Sequence, residues 1–161
     1  MRRIRIERPE PLARYAIVAG GTATEGALAV VNAAGTVLDA SDAASVVVLG
    51  IFDHLHGDGY AEIKNGIFGF AHDGTVTRAD RGLAAYVSDA ETVSKYGGSN
   101  SVAAGIIVDV DDDTVWVQVD PVAIKLASTL TPPTAPSSSE GSESSSSASS
   151  ESSSSSASSE S

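Results

Sequence analysis

Between Tyr15 and Asp120 the apolar residues come in short runs: YAIVA, ALAVVN, TVLDA, VVVLGIF, LAAYV, AGIIVDV and TVWVQVD. Gly, Asn, Asp and Ser interrupt each run before apolar residues can recur at three- and four-residue spacing, so no long amphipathic helix can form. Strand periodicity is clearest near the end, where Val115, Val117 and Val119 fall on one face and Trp116 and Gln118 on the other. The pattern predicts an all-β domain of roughly eight to ten strands, a small β-barrel or β-sandwich of short antiparallel strands.

Turn chemistry sets the expected connections. Asn65-Gly66 between two apolar runs is a hairpin signal, because both residues accept positive φ in a type I′ turn, and Asp73-Gly74 repeats the device. TRADRG predicts one helical turn capped by Thr77 or Asp80 and halted at Gly82, before LAAYV resumes as a strand. SVAAGIIVDV and TVWVQVD form a hairpin over an Asp-rich turn.

The two ends differ from this body. Residues 1–14 hold five Arg against Glu7 and Glu10, alternate Arg with Ile at first, and meet Pro9 and Pro11, which predicts an extended arm. Such an arm can order by adding a strand to a partner's sheet edge. Residues 15–126 form the expected domain, with five basic and fifteen acidic groups. Residues 127–161 turn to Pro and then to Ser with four Glu, too polar to offset chain entropy by burial, and are expected to be a disordered tail.

The net charge of −11 argues against a nucleic-acid partner for the body. There is no Cys, so no disulfide supports the fold and cysteine usage does not indicate a redox compartment. MRRIRIERPEP lacks the apolar segment of a signal peptide, and no run reaches the roughly 18 residues of a membrane helix, so the expectation is a soluble chain with no membrane partner.

Four motifs invite a chemical reading. His54, His56 and Asp58 have the H-x-H-x-D spacing of metallo-β-lactamase-type sites, with His72 the remaining imidazole. Gly59 stands where that motif carries its next His, and the surrounding pattern is a hairpin, so HLHGD reads as a connector. VAGGTATEG resembles a phosphate loop, but a β-rich segment follows it where a helix is needed, so Gly20, Gly21 and Gly26 are read as bends. Asp109, Asp111 and Asp113 have calcium-loop spacing, yet Thr114 and Asp120 replace the required Gly and Glu. No nucleophile elbow or Cys nucleophile occurs. The expectation is no catalytic residue, no metal, no cofactor and no enzyme activity.

The segment GIFGFAHDGTVTRADRGLAAYVSDAETVSKYGGSNSVAAGIIVDVDDDTVWVQVD resembles the capsid cement or head decoration proteins of tailed bacteriophages. The positions that carry the likeness are Gly66 to Phe70, Ala79, Asp80, Gly82, Ala85, Tyr86, Val87, Ala104, Gly105, Ile106 and Val115 to Val117. EGALAVVNAAGTV and VVVLGIF resemble the opening strands of that family. The resemblance implies a non-enzymatic virion protein on the outer capsid surface, a homotrimer that bridges neighbouring capsomers, with the major capsid protein as partner. The arm residues Arg2, Arg3, Ile4, Arg5, Ile6 and Arg8 are the candidate capsid-binding set, Arg seeking acidic groups and Ile supporting β-pairing. The alternatives are an adhesin-like or fibre-associated virion module joined through its Ser tail, and a metal-dependent hydrolase using His54, His56, Asp58 and His72.

Overall fold

The computed structural model describes residues 14–17 and 21–135. The described residues are mostly β, with ten strands, one 3-10 turn and one α-helix. In chain order they are β1 (Arg14–Ala16), β2 (Leu28–Val31), β3 (Val37–Asp39), β4 (Val47–Leu55), β5 (Tyr60–Lys64), β6 (Gly66–His72), the 3-10 turn Arg78–Asp80, β7 (Ala84–Val87), β8 (Thr92–Ser94), β9 (Ala103–Val110), β10 (Val115–Val119) and α1 (Pro121–Thr129).

Two sheets divide the strands. The first runs β1-β5-β4-β2-β3 and is antiparallel throughout, curled so that Ile17, just past β1, bridges Val37 of β3 in parallel. The second is a closed barrel, β10-β6-β8-β7-β9, antiparallel except for β6 and β8. Those two run parallel because the 3-10 turn and β7 intervene as the crossover that parallel pairing requires.

The core lies where the curled sheet meets the barrel. Val115, Val117 and Val119 are fully buried there with Val87 and Ile107 of the barrel and Leu28, Val30 and Val48 of the first sheet. A second cluster, Ala27, Ala29, Val37, Phe52, Ala61 and Ile63, fills the inside of the curl. Small and β-branched side chains suit such narrow interiors, which close packing must fill without voids.

The expected hairpin over Asp111 to Thr114 is present, closed by the Asp111 amide donating to the Thr114 carbonyl at 2.8 Å. The expected turn before LAAYV is present too. Thr77 is its N-cap, the Thr77 amide donates to Asp80 Oδ2 at 2.7 Å, and Gly82 follows at φ +82°.

Asn65-Gly66 does not close a hairpin. β5 is paired on both sides, by β1 and β4, while β6 pairs with β10 and β8, so the dipeptide is the corner where the chain leaves one sheet for the other. β4 approaches that corner closely: a Cβ on Gly50 would stand 2.5 Å from the Lys64 carbonyl oxygen. Asp73-Gly74 does turn, with Gly74 at φ +81°, but it leads to the 3-10 turn and not to a paired strand.

Helix α1 is the element that the strand reading left out, and it carries regular structure past residue 126. Asp120 caps it, its Oδ1 accepting from the Val122 and Ala123 amides at 2.8 Å each, and Pro121 sits at the first position, where its missing N–H costs nothing. Its buried residues, Ala123, Ile124 and Ala127, face the barrel; Ala127 packs with Ala84, Tyr86, Ala103 and Ile106 on the outside of β7 and β9. Every residue of β7 is therefore buried, the inner pair by the barrel core and the outer pair by α1. The Tyr86 hydroxyl donates to the Leu130 carbonyl at 3.1 Å, fastening the end of the helix.

Candidate functional site

The HLHGD segment forms the β4–β5 hairpin connection, as its glycines and Asp predict. The His56 amide donates to the Tyr60 carbonyl at 2.8 Å, the Gly59 amide donates to the His56 carbonyl at 3.2 Å, and Gly59 takes φ +84°. Asp58 serves the turn itself, its Oδ1 accepting from the Tyr60 amide at 3.3 Å.

The two imidazoles lie side by side, centroids 4.8 Å apart and planes at 88°. Each meets its own carboxylate: His54 Nδ1 is 3.1 Å from Glu25 Oε1, and His56 Nε2 is 3.0 Å from Glu62 Oε1. Glu25 Oε1 also accepts from the Leu55 amide at 2.9 Å. Strand register explains the assembly, because Arg14 on β1 stands opposite Glu62 on β5, and Glu62 stands opposite His54 on β4. Arg14 Nε comes within 3.8 Å of the same Glu62 oxygen that His56 meets.

The candidate metal ligands are thus distributed. His72 belongs to β6 of the barrel, where its Nδ1 accepts from the Gly74 amide at 3.1 Å, apart from the hairpin chemistry. Among the described residues no three His, Cys, Asp or Glu side chains gather in a group that could hold a metal. Glu25 and Glu62 are the partners that sequence spacing missed; the period-two pattern of AEIK together with strand register would have placed Glu62 beside the histidines.

In the Asp-rich hairpin two carboxylates have local partners. Asp111 Oδ2 accepts from the Trp116 indole at 2.9 Å, and Asp109 pairs with Arg81. The Val110 backbone amide, then the Arg81 guanidinium, hold the Asp109 carboxyl below the usual range. At Asp120 the helix-cap bond from the Ala123 amide, then Gln118, act the same way. Gly26 bends the chain at φ +86° and strand β2 follows it, so no helix N-terminus faces the glycines. Arg2, Arg3, Ile4, Arg5, Ile6 and Arg8 lie outside the described residues, as do residues 136–161 of the tail.

The architecture of the described residues is all-β, a curled sheet joined to a closed barrel, and among them no buried side-chain N or O lacks a hydrogen-bond partner. Compared with protein-family models, with curated proteins and with solved structures, the chain shows no match.

Proposed function

We propose that the protein is a structural component of a virion that binds the outer face of a phage capsid and bridges neighbouring capsomers, with the major capsid protein as its partner. The observation that carries the reading is the placement of Arg14. Arg14, which five residues separate from the Arg/Ile segment in the sequence, opens β1, a strand paired with β5 in the first sheet, so a pull that reaches Arg14 is borne by the sheet. The resemblance of residues 66–120 to capsid decoration proteins supports the same reading.

Each exposed ion pair from Arg2, Arg3, Arg5 or Arg8 contributes only about 0–1 kcal/mol. Attachment therefore depends on strand addition through Ile4 and Ile6 and on several arms acting at once, which is the advantage of a trimer. The test is co-sedimentation with the cognate empty capsid, alongside sedimentation equilibrium of the free protein. Deleting residues 1–11 abolishes capsid binding and leaves the melting of the body unchanged; deleting residues 136–161 leaves binding intact. Saturable binding by the arm-deleted chain overturns the reading, and loss of binding on tail deletion favours the fibre-associated alternative.

A further inference from the structure

We propose that the His54–His56 pair is an acid-sensitive joint that governs how firmly β1, the root of the N-terminal segment, is held in the first sheet. The inference rests on one shared oxygen. Glu62 Oε1 lies 3.0 Å from His56 Nε2 and 3.8 Å from Arg14 Nε, so the carboxylate that faces β1 is the one that the imidazole contacts. Both groups of the His56–Glu62 pair are about a fifth exposed, which limits solvent screening of a charge that appears there.

Arg14 of β1 and His56, just past β4, meet this oxygen of Glu62 on β5; beside His56, His54 of β4 meets Glu25 of the loop before β2. Nearby, Lys64 and Asp53 pair with each other at 3.7 Å, and Asp58 is engaged in the turn. With neutral imidazoles, Arg14 and the carboxylates of Glu25 and Glu62 give the cluster a net −1. Histidine is the side chain that changes charge between about pH 5 and 8. With both imidazoles protonated, three cations share two carboxylates and the net charge becomes +1. His56 then draws the Glu62 charge to itself, and Arg14 loses its share of that carboxylate. The β4–β5 hairpin tightens while the β1 seam loosens.

The Ile17 amide reports on this seam, since it donates to the Gly59 carbonyl at 3.0 Å beside the hairpin turn. Hydrogen exchange on the full chain, corrected for the intrinsic pH dependence, compares Ile17 with the Ala29 amide in central strand β2. Between about pH 7.5 and pH 5.5, Ile17 protection falls about threefold, the size that an exposed ion pair supports, while Ala29 protection is unchanged. In the His54→Gln/His56→Gln variant the fall disappears. The wild type supplies a second readout: the imidazole ring NMR shifts and the Ile17 protection follow one midpoint. Protection that stays level or rises on acidification, a fall that survives in the double variant, or midpoints that differ between the rings and Ile17 would each overturn the proposal.

Discussion

Replacing Asp80 with Ala tests the account of how the 3-10 turn is tied to the barrel. Asp80 Oδ2 accepts from the Thr77 amide and the Thr77 hydroxyl at 2.7 Å each, and Lys95 Nζ lies 3.5 Å away. The residue is 8% exposed. The hydroxyl can turn to water and the lysine is partly solvated, so the loss is dominated by the amide left without an acceptor. A hydrogen bond to a charged group is worth about 1.5–3 kcal/mol, which puts the total near 2–3 kcal/mol. Against a stability of roughly 5–15 kcal/mol this is a large fraction, read as a fall of about 8–12 °C in Tm or as an earlier urea midpoint at unchanged slope.

The pH dependence of that difference is a sharper check. Burial pushes the Asp80 carboxyl up, but hydrogen bonds from the Thr77 side chain and backbone, together with the Lys95 charge, outweigh it and hold it below the ordinary value. A depressed folded-state pKa adds stability that is complete above the unfolded value of about 3.9 and is lost as pH falls through the folded value. The gap between wild type and Asp80→Ala is therefore level from about pH 8 to pH 5 and shrinks below about pH 4. A gap under about 0.5 kcal/mol at neutral pH, or one that does not shrink in acid, would refute the reasoning.

Three further outcomes follow from packing. Gly105→Ala places a Cβ 2.1 Å from the Gln118 carbonyl oxygen, so β9 and β10 must part and thermal melting shows a loss of at least about 2 kcal/mol; Gly57→Ala, with nothing within 4 Å, leaves the melt unchanged. A chain ending at residue 126 melts below one ending at residue 135, because it lacks the fully buried Ala127 and the Leu130 carbonyl that Tyr86 bonds. Phe52→Ala opens a cavity inside the curled sheet and costs about 3–5 kcal/mol in urea unfolding, with β10 of the barrel the last to lose exchange protection.

The strand content, the β9–β10 hairpin, the Thr77 turn and the role of HLHGD as a connector were all legible from local signals. Each depends on residues within a few positions of one another: alternating Val115, Val117 and Val119, a capping Thr, a Gly at positive φ. Helix α1 was legible in principle, since Asp120-Pro121 is a cap followed by a first-turn Pro, but nine residues with small buried side chains present too short an apolar stripe to stand out. The His–Glu–Arg cluster was not legible by spacing, because Glu25 and Glu62 reach the histidines, and Arg14 reaches Glu62, across strands and a loop.

What the sequence alone determined is the periodicity: side chains alternate at every second residue, and turn residues stop each run, so a small-cored β protein follows from backbone geometry. Only the tertiary structure decided which strands pair. Asn65-Gly66 suits a hairpin equally well wherever it occurs, yet β5 is already hydrogen-bonded on both sides, so the chain must cross to the barrel. Pairing is a competition for backbone donors and acceptors over long sequence separations, and its outcome depends on which apolar faces can be buried together.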